Sequence, residues 1–393
     1  MEIPLFWTAR FFRVVLGLLP LCMGWSAGQN VEVAPSISRQ DRLRLWELYV
    51  SRNIRPSNEM PERKDMVRSY VERGNEWLQK DRLDLAAADF AIAIELDPKC
   101  AEAYHNRGIA HAAGGDRDAA IADFTKAIAI RSDVSQPYLG RGLLRLGKGD
   151  FDGAIMDFEA SIAIVPKLRQ SLCSQLAQAY FNRAVDRQSS GDREAAFRDY
   201  SAAIGAGTGS SKHCVESGIR NFLAAAYNNR GNLWTDQGMF EEAVADFSRA
   251  LELNASLPEA YQNRAAVRAR KGDMDGAIAD SSRAIQVEPQ LAAAYQTRGG
   301  ALYAKGDLEG ALSDFNRAIQ LQPRSPGAYV NRGIIRLVQG NHGDGLKDLD
   351  YALELNPRLG PAVDTLLRTT RLPKEHKAII ELWSKRRSGG SGR

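Results

Sequence analysis

Cysteine, histidine and net charge are all scarce in this sequence. Its 393 residues include four cysteines and five histidines, and the formal net charge is +4. Four cysteines are too few for a disulfide-dense domain, and no cysteines or histidines have the spacing of a zinc site. A content of 44% hydrophobic and 25% charged residues excludes a disordered chain. The small basic excess lies partly in the last nine residues and does not indicate a nucleic-acid partner.

Motifs for nucleotide binding and catalysis are also missing. The glycine-containing stretches GKGD, at 147–150, and GTGSS, at 207–211, do not follow a strand as a phosphate-binding loop does. Most aspartates and glutamates are accounted for by the repeat described below or by solvated helix faces. We therefore expect a protein that is not an enzyme and that needs no cofactor and no metal.

Long apolar runs are confined to the N-terminus. The run from Val14 to Ala27 follows Arg10 and Arg13 and ends at small residues, as a cleaved secretory signal does. It is shorter than the roughly 20 residues of a spanning helix. We expect residues 1–28 to be a signal peptide of an exported protein, periplasmic or extracellular. The alternative is a membrane anchor formed by residues 14–27.

A repeat of 34 residues runs through most of the remaining chain. Tyrosines recur at this step in two blocks, and Tyr180 lies between the blocks. Position 1 of each unit is the third residue before its tyrosine. The eight units begin near Val67, Ala101, Ser135, Ala177, Ala224, Pro258, Ala292 and Pro326.

Several other unit positions also recur. Position 8 is glycine or alanine, position 15 is glycine in seven units, positions 20 and 27 are alanine in seven, and position 24 is mostly aromatic. Positions 4 and 8 share one face of a first helix, and positions 20, 24 and 27 share one face of a second. Glycine at position 15 ends the first helix, and proline at position 32 cannot continue the second. One helix pair cannot bury its apolar face alone, so neighbouring pairs must stack.

This pattern resembles the tetratricopeptide repeat family. The resemblance implies an all-α solenoid, a right-handed superhelix of helix–turn–helix repeats over residues 67–358, whose first helices line a concave groove. It also implies a non-catalytic scaffold or assembly factor that binds a protein or peptide in this groove. The alternative is a membrane-anchored accessory subunit of an envelope enzyme or secretion complex.

The remaining segments are placed around the repeats. Residues 29–66 are expected to form an N-terminal helix and linker, residues 359–386 to form capping helices, and residues 387–393 to be a disordered tail. A solenoid needs such a cap because its last apolar face has no following repeat.

Extra residues precede Tyr180 and Tyr227 and interrupt the regular step. The helix that contains Tyr180 is expected to begin two turns early, because no helix breaker follows Pro166. Cys173 and Cys214 lie in this irregular part. We interpret them as buried small hydrophobic residues, with a disulfide between them as the alternative.

Position 7 is arginine and position 23 is aspartate in all eight units. An arginine kept on the first helix and an aspartate kept on the second indicate an ion pair between helices, since a guanidinium group can bind a carboxylate through two hydrogen bonds. The aspartate could belong to the same unit or to the preceding one. The alternative is a row of arginines that binds an acidic ligand. The residues are Arg73, Arg107, Arg141, Arg183, Arg230, Arg264, Arg298 and Arg332, with Asp89, Asp123, Asp157, Asp199, Asp246, Asp280, Asp314 and Asp348.

Position 6 is the candidate binding position. It is asparagine in five units, at Asn106, Asn182, Asn229, Asn263 and Asn331, and Thr297 extends the polar run. Some tetratricopeptide repeat proteins hold an extended peptide with asparagines at this place, since an amide can donate to a peptide carbonyl and accept from a peptide N–H. The alternative is that these amides bond neighbouring helices. Positions 2, 5, 9, 12 and 13 are expected to line the groove and to set specificity.

Overall fold

The computed structural model describes residues 63–208 and 219–369, together with Glu381 and Trp383. The expected signal segment, most of the N-terminal helix and linker, Cys214 and the tail lie outside the described residues. The described part contains eighteen α-helices and no strand, so the predicted all-α fold is confirmed.

The helices follow one another as pairs, a first and a second helix for each repeat. Their bounds are α1 Arg63–Gln79, α2 Leu83–Leu96, α3 Ala101–Ala113, α4 Arg117–Ile130, α5 Ser135–Lys148, α6 Phe151–Ile164, α7 Leu168–Ser171, α8 Cys173–Ser189, α9 Arg193–Thr208, α10 Arg220–Asp236, α11 Phe240–Leu253, α12 Pro258–Arg270, α13 Met274–Val287, α14 Ala292–Ala304, α15 Leu308–Leu321, α16 Pro326–Val338, α17 His342–Leu355 and α18 Gly360–Thr369.

The chain divides into two compact units, Met1–Gln175 and Leu176–Arg393. In the first unit α1 packs on α2, α3 on α4 and α5 on α6, and each second helix also contacts the next first helix. In the second unit the same pattern joins the helices from α10 to α17, and α9 packs against α10. Within each unit, a stack of helix pairs therefore supplies the core that a single pair lacks.

Two first helices begin before the repeat start. α8 and α10 begin at Cys173 and Arg220, each four residues ahead of the first position of its unit. The prediction that α8 begins two turns early is wrong. The chain forms the separate one-turn helix α7 and then begins α8 one turn early, with buried Leu172 between the two helices.

The turn between paired helices has a repeated construction. Position 15 lies in the left-handed region of backbone space, with φ from 77° to 89° at the seven glycines and 58° at Asp81. The residue after it is the N-cap of the second helix. In most units this is an aspartate whose side chain accepts a hydrogen bond from the backbone of the first helical turn, as Asp273 does from Gly276 N. The left-handed glycine and the aspartate cap together permit a tight turn between the two helices.

Positions 8 and 24 form the centre of most pairs. Phe90, Phe124, Phe158, Phe247 and Phe315 are fully buried, each opposite a glycine of the paired first helix. A Cβ added at Gly231 would lie 2.7 Å from Phe247 Cε1. The first helix therefore approaches the aromatic ring as closely as its backbone permits.

The C-terminal segment keeps the repeat register. Gly360 follows Pro326 by one repeat length, and Val363 and Leu367 take positions 4 and 8 of a ninth unit. Both are buried against Ile334 and Leu337 of α16, and Trp383, at position 24, packs on the same cluster. The indole Nε1 of Trp383 also donates to Asp350 Oδ1 at 2.8 Å. These contacts cover the last apolar face of the stack.

The two described cysteines differ in state. Cys100 is a free, partly buried thiol whose pKa is raised by burial. Cys173 is buried and disulfide-bonded, and its partner lies outside the described residues. The interpretation of Cys173 as a simple buried hydrophobic residue is therefore wrong.

Candidate functional site

Each first helix places its arginine against its tyrosine. Positions 4 and 7 lie one turn apart, so the two side chains share a face of the helix. In all eight units the arginine Cζ lies 5.0 to 5.9 Å from the centroid of the tyrosine ring. A planar guanidinium group gains attraction from a ring at this distance.

The same guanidinium groups hold the aspartates through two hydrogen bonds. In Arg264, Nε donates to Asp280 Oδ2 at 2.8 Å and Nη2 donates to Oδ1 at 2.7 Å. The aspartate always belongs to the same unit, which decides between the two pairings that the sequence left open. The pairs are Arg73–Asp89, Arg107–Asp123, Arg141–Asp157, Arg183–Asp199, Arg230–Asp246, Arg264–Asp280, Arg298–Asp314 and Arg332–Asp348.

A third donor of the arginine reaches the preceding unit. Nη1 of Arg264 donates to Ser248 Oγ at 2.9 Å, and Nη1 of Arg332 donates to Asn316 Oδ1 at 2.8 Å. The acceptor stands at position 25 of the preceding second helix, and Arg141, Arg230 and Arg298 make the equivalent bond. The arginine thus joins two helices of its own unit and one helix of its neighbour. This use of the guanidinium leaves the row of arginines poorly suited to an acidic ligand.

Sequence reasoning missed a second cation at position 11. Four units have arginine there, and its Nη1 donates to the aspartate that position 7 already binds, as Arg268 does to Asp280 Oδ2 at 2.8 Å. Arg145, Arg187 and Arg336 do the same. In the repeat that begins at Ala101, His111 takes this place, with Nδ1 3.3 Å from Asp123 Oδ2. The signal was arginine at one position in half of the units.

Electrostatics agree with a structural role for this constellation. The hydrogen bond to Asp123 raises the pKa of Arg107, and the bond to Asp314 raises the pKa of Arg298. On the same helix as Arg107, burial lowers the pKa of His105 to about 4, with the Phe124 ring centroid 5.6 Å from the imidazole. His105 is therefore neutral at physiological pH.

The asparagines of position 6 lie on the opposite side of the first helices. Asn106, Asn182, Asn229 and Asn263 are half-buried, and Asn331 is exposed. Asn106 Nδ2 donates to Asn75 Oδ1 of the preceding unit at 2.8 Å. Bonds between neighbouring helices therefore occur at this position, as the alternative interpretation expects.

Asn229 and Asn263 belong to a hydrogen-bonded chain that crosses four helices of the unit Leu176–Arg393. Asn263 Nδ2 donates to Asn228 Oδ1 at 3.1 Å, and Asn228 Nδ2 donates to Asn229 Oδ1 at 3.3 Å. Asn229 Nδ2 donates to the hydroxyl of Tyr200 at 3.1 Å, and that hydroxyl donates to Gln188 Oε1 at 2.7 Å. Tyr200 replaces the usual phenylalanine of position 24, so its hydroxyl supplies the link between the second helix α9 and the asparagines.

The expected groove positions separate into two groups. Val71, Leu139, Leu146, Asn228 and the α16 residues Val330, Ile334 and Leu337 are buried, and the last three lie under α18. The expectation that these residues set specificity is wrong, because they form contacts between helices. Asn232, Gln262 and Thr235 remain half-buried, and Val185 is 40% exposed.

Aromatic side chains border the asparagines on α8 and α10. The ring of Phe181 lies 5.9 Å from the rings of both Tyr200 and Phe222. Phe222, 36% exposed, stands in the extra turn at the start of α10. The early start of this helix thus adds an exposed ring to the polar surface.

The described residues hold neither a cluster of metal ligands nor a helix that could cross a membrane. No group of three histidine, cysteine, aspartate or glutamate side chains there could hold a metal ion. None of the described helices has the length and apolar content needed to cross a bilayer.

Stacked helix pairs that are joined by one repeated ion pair define a helical repeat protein. Models of tetratricopeptide repeats match residues 71–135 and 224–257, and a model described as TPR repeat matches residues 299–340. The chain belongs to the tetratricopeptide repeat family.

Solved structures with a similar arrangement include other repeat proteins. MamA from Desulfovibrio magneticus RS-1 is 18% identical, with 46% of this chain and 96% of that chain covered and a TM-score of 0.38. The Arabidopsis OM64 TPR domain is 25% identical, with 30% and 97% covered and a TM-score of 0.30. The first TPR of Spaghetti (RPAP3), bound to an HSP90 peptide, is 26% identical, with 30% and 93% covered and a TM-score of 0.29. No curated protein sequence matches the chain.

Proposed function

We propose that this protein is a non-catalytic scaffold that binds an extended segment of a partner protein across the first helices of the unit Leu176–Arg393. Tetratricopeptide repeats support a role in protein–protein interaction. The observation that carries the location is the row of half-buried side chains at position 6 of four successive first helices, Asn182, Asn229, Asn263 and Thr297. Each can form hydrogen bonds with a peptide backbone without reading its side chains.

The internal hydrogen bonds orient these amides and leave some of their donors and acceptors for a ligand. A side-chain amide has two N–H donors and a carbonyl with two lone pairs. Asn263 uses one donor on Asn228, so a second donor and its carbonyl oxygen remain. Asn229 uses one donor on Tyr200 and accepts one bond from Asn228. An amide held in one orientation loses less entropy on binding than a freely rotating one.

We also propose that the scaffold works outside the cytoplasm. The N-terminal residues 1–28 have the pattern of a secretory signal, and the disulfide bond of Cys173 supports an oxidising compartment. Recovery of the protein from its native cells and N-terminal sequencing test this proposal. A first residue near Gln29 would support export, whereas a chain that retains residues 14–27 would favour the membrane anchor.

Partner capture with a substituted face tests the binding proposal. The variant Asn182→Ala/Asn263→Ala/Asn331→Ala removes three amides of position 6, and we expect it to lose crosslinked partners that the parent protein captures from native extract. The matched control, Gln286→Ala/Gln320→Ala, removes exposed amides from the second helices α13 and α15. Equal capture by all three proteins, with unchanged melting temperatures, would reject the proposed location.

A further inference from the structure

The first helices α8, α10, α12 and α14 present a surface with almost no charge. Positions 2, 5, 6 and 9 span an arc of about 100° on a helix, opposite the arc that carries positions 4, 7 and 11. We name these positions on the four helices the amide face. Its members include Asn182, Asn229, Asn232, Gln262, Asn263 and Gln296. Glu259 is its one ionisable residue, although 25% of the whole sequence is charged. Two charged residues, Asp236 and Arg270, stand at position 13 and border the amide face at the ends of α10 and α12, and Asp236 is paired with Arg193.

The amide face is continuous within the unit Leu176–Arg393. α10 contacts α12, and α12 contacts α14. The bond from Asn263 to Asn228 crosses between α12 and α10, and the contact of Phe181 with Phe222 crosses between α8 and α10. Amides therefore lie along three consecutive helices and end, at α8, beside aromatic rings.

The arginines of positions 7 and 11 are directed to the other side of these helices. Arg230, Arg264 and Arg298 are bound to aspartates of the paired second helices, and Arg268 shares the aspartate of Arg264. A charged side chain laid on the centre of the amide face would lose hydration and would find opposite charges only at its margins, at Glu259, Asp236 and Arg270. Such desolvation is unfavourable unless the charge is paired. An uncharged segment loses its hydrogen bonds to water when it binds, and the amides of the face can replace those bonds.

We propose that the partner segment is an extended peptide without charged side chains, and that one of its large apolar side chains packs on Phe181 and Phe222. This inference rests on the proposed function and adds the chemical class of the ligand. Amide groups serve the peptide backbone and polar uncharged side chains equally well. The exposed edges of Phe222 and Val185 offer the apolar contact at one end.

Binding of synthetic peptides to the full chain tests the inference. One fluorescent peptide contains serine, glutamine and threonine with a single leucine, and two others replace part of the glutamine by lysine or by glutamate. We expect the uncharged peptide to bind at least about tenfold more tightly than either charged one. Its affinity should change little between about 0.05 and about 0.5 M salt, since salt screens only charged groups.

Variants locate the effect on the amide face. Gln262→Glu/Gln296→Glu adds two carboxylates to the face with almost no change in shape, and should weaken the uncharged peptide about tenfold and strengthen the lysine peptide. Gln286→Glu/Gln320→Glu adds the same charge to the second helices and should change neither affinity. Phe222→Ala should weaken the leucine peptide and leave a leucine-free version unaffected.

The possible outcomes separate the two proposals. Tighter binding of a charged peptide, or binding that salt abolishes, would overturn the uncharged class and leave the scaffold intact. Displacement of the bound probe by a neutral oligosaccharide, with no preference among the peptides, would also overturn it. Failure of every peptide and of partner capture would overturn the scaffold itself.

Discussion

Arg298 shows how one side chain joins three helices. Its guanidinium lies 5.7 Å from the Tyr295 ring centroid and donates to both carboxylate oxygens of Asp314, at 2.8 and 2.7 Å. Nη1 donates to Ser282 of the preceding unit at 3.2 Å. Lysine could not make these contacts together, because a compact ammonium lacks the planar fork that matches a carboxylate. The arginine is therefore conserved along the repeats by geometry.

The second arginine of position 11 predicts unequal effects of the same substitution. Arg298→Met leaves buried Asp314 beside Leu302 with no second arginine, and we expect a loss of about 3–5 kcal/mol in unfolding free energy. Arg264→Met leaves Asp280 bound to Arg268 at 2.8 Å, so its loss should be smaller by about 1–2 kcal/mol. Denaturant melts of both variants check the order. Equal losses would show that position 11 does not support the aspartate.

His105 predicts a dependence of stability on pH. Burial lowers its folded-state pKa to about 4, below the ordinary value of 6.5, so the unfolded chain binds the proton more readily. Above pH 6.5 the histidine is neutral in both the folded and the unfolded chain. As the pH falls from there toward 4, the unfolded chain is protonated first, so stability is lost. His105→Leu, which copies Leu139 at the same position of the next unit, should reduce this loss by about 2 kcal/mol at pH 4. Parallel melting curves of variant and parent across this range would contradict the assignment.

At the scale of elements, helix pairs depend on how closely two helices approach. The alanine Cβ in Gly231→Ala would lie 2.7 Å from Phe247 Cε1, so α10 and α11 must separate. We expect a loss of about 1–3 kcal/mol, as in other overpacked cores. Gly300→Ala is the matched control, since nothing lies within 4 Å of its Cβ. It should raise stability by about 0.5–1 kcal/mol through helix propensity, and thermal melts that rank the two variants in reverse would refute the packing argument.

Most of the helices and their buried faces can be predicted from the sequence alone. The helices and their buried faces are predicted by glycine at position 15, alanine at positions 20 and 27 and the aromatic residue at position 24. Glycine is needed for the left-handed backbone of the turn, and the small and aromatic residues are needed where two helices pack closely. The early starts of α8 and α10 could not be predicted as well, since no capping residue marks them. Burial of Val330 and Ile334 follows from α18 packing over them, and the expected cap at residues 359–386 indicated this cover without identifying the residues beneath it.

In the candidate site, too, contacts between recurring residues can be predicted and contacts between other residues cannot. The pairing of arginine with aspartate follows from two residue types kept at two fixed positions. The bonds among Asn263, Asn228 and Asn229 join residues at different repeat positions, so no residue type that recurs at one position predicts these bonds. Tyr200 takes part only because its hydroxyl stands where other units have a phenylalanine edge.

At the scale of the whole molecule, cysteine chemistry bears on where the protein works. Cys173 is disulfide-bonded and Cys100 is free. We predict that peptide mapping without reductant finds Cys173 linked to Cys214 and Cys100 as a thiol. Reduction should lower the melting temperature, because a crosslink restricts the unfolded chain. A free Cys173 thiol in protein purified from its native compartment would contradict both the linkage and the argument for export.

Site-specific photo-crosslinking tests the binding surface most directly. A photoreactive amino acid is placed in the full chain at Ala266 or Ala293 of the amide face, or, as controls, at exposed Arg283 or Ser313 of the second helices. After irradiation in native extract, we predict one crosslinked partner from both amide-face positions, joined through an extended, uncharged segment of that partner, and none from the controls. Crosslinks formed only from Arg283 and Ser313 would contradict a binding surface on the first helices.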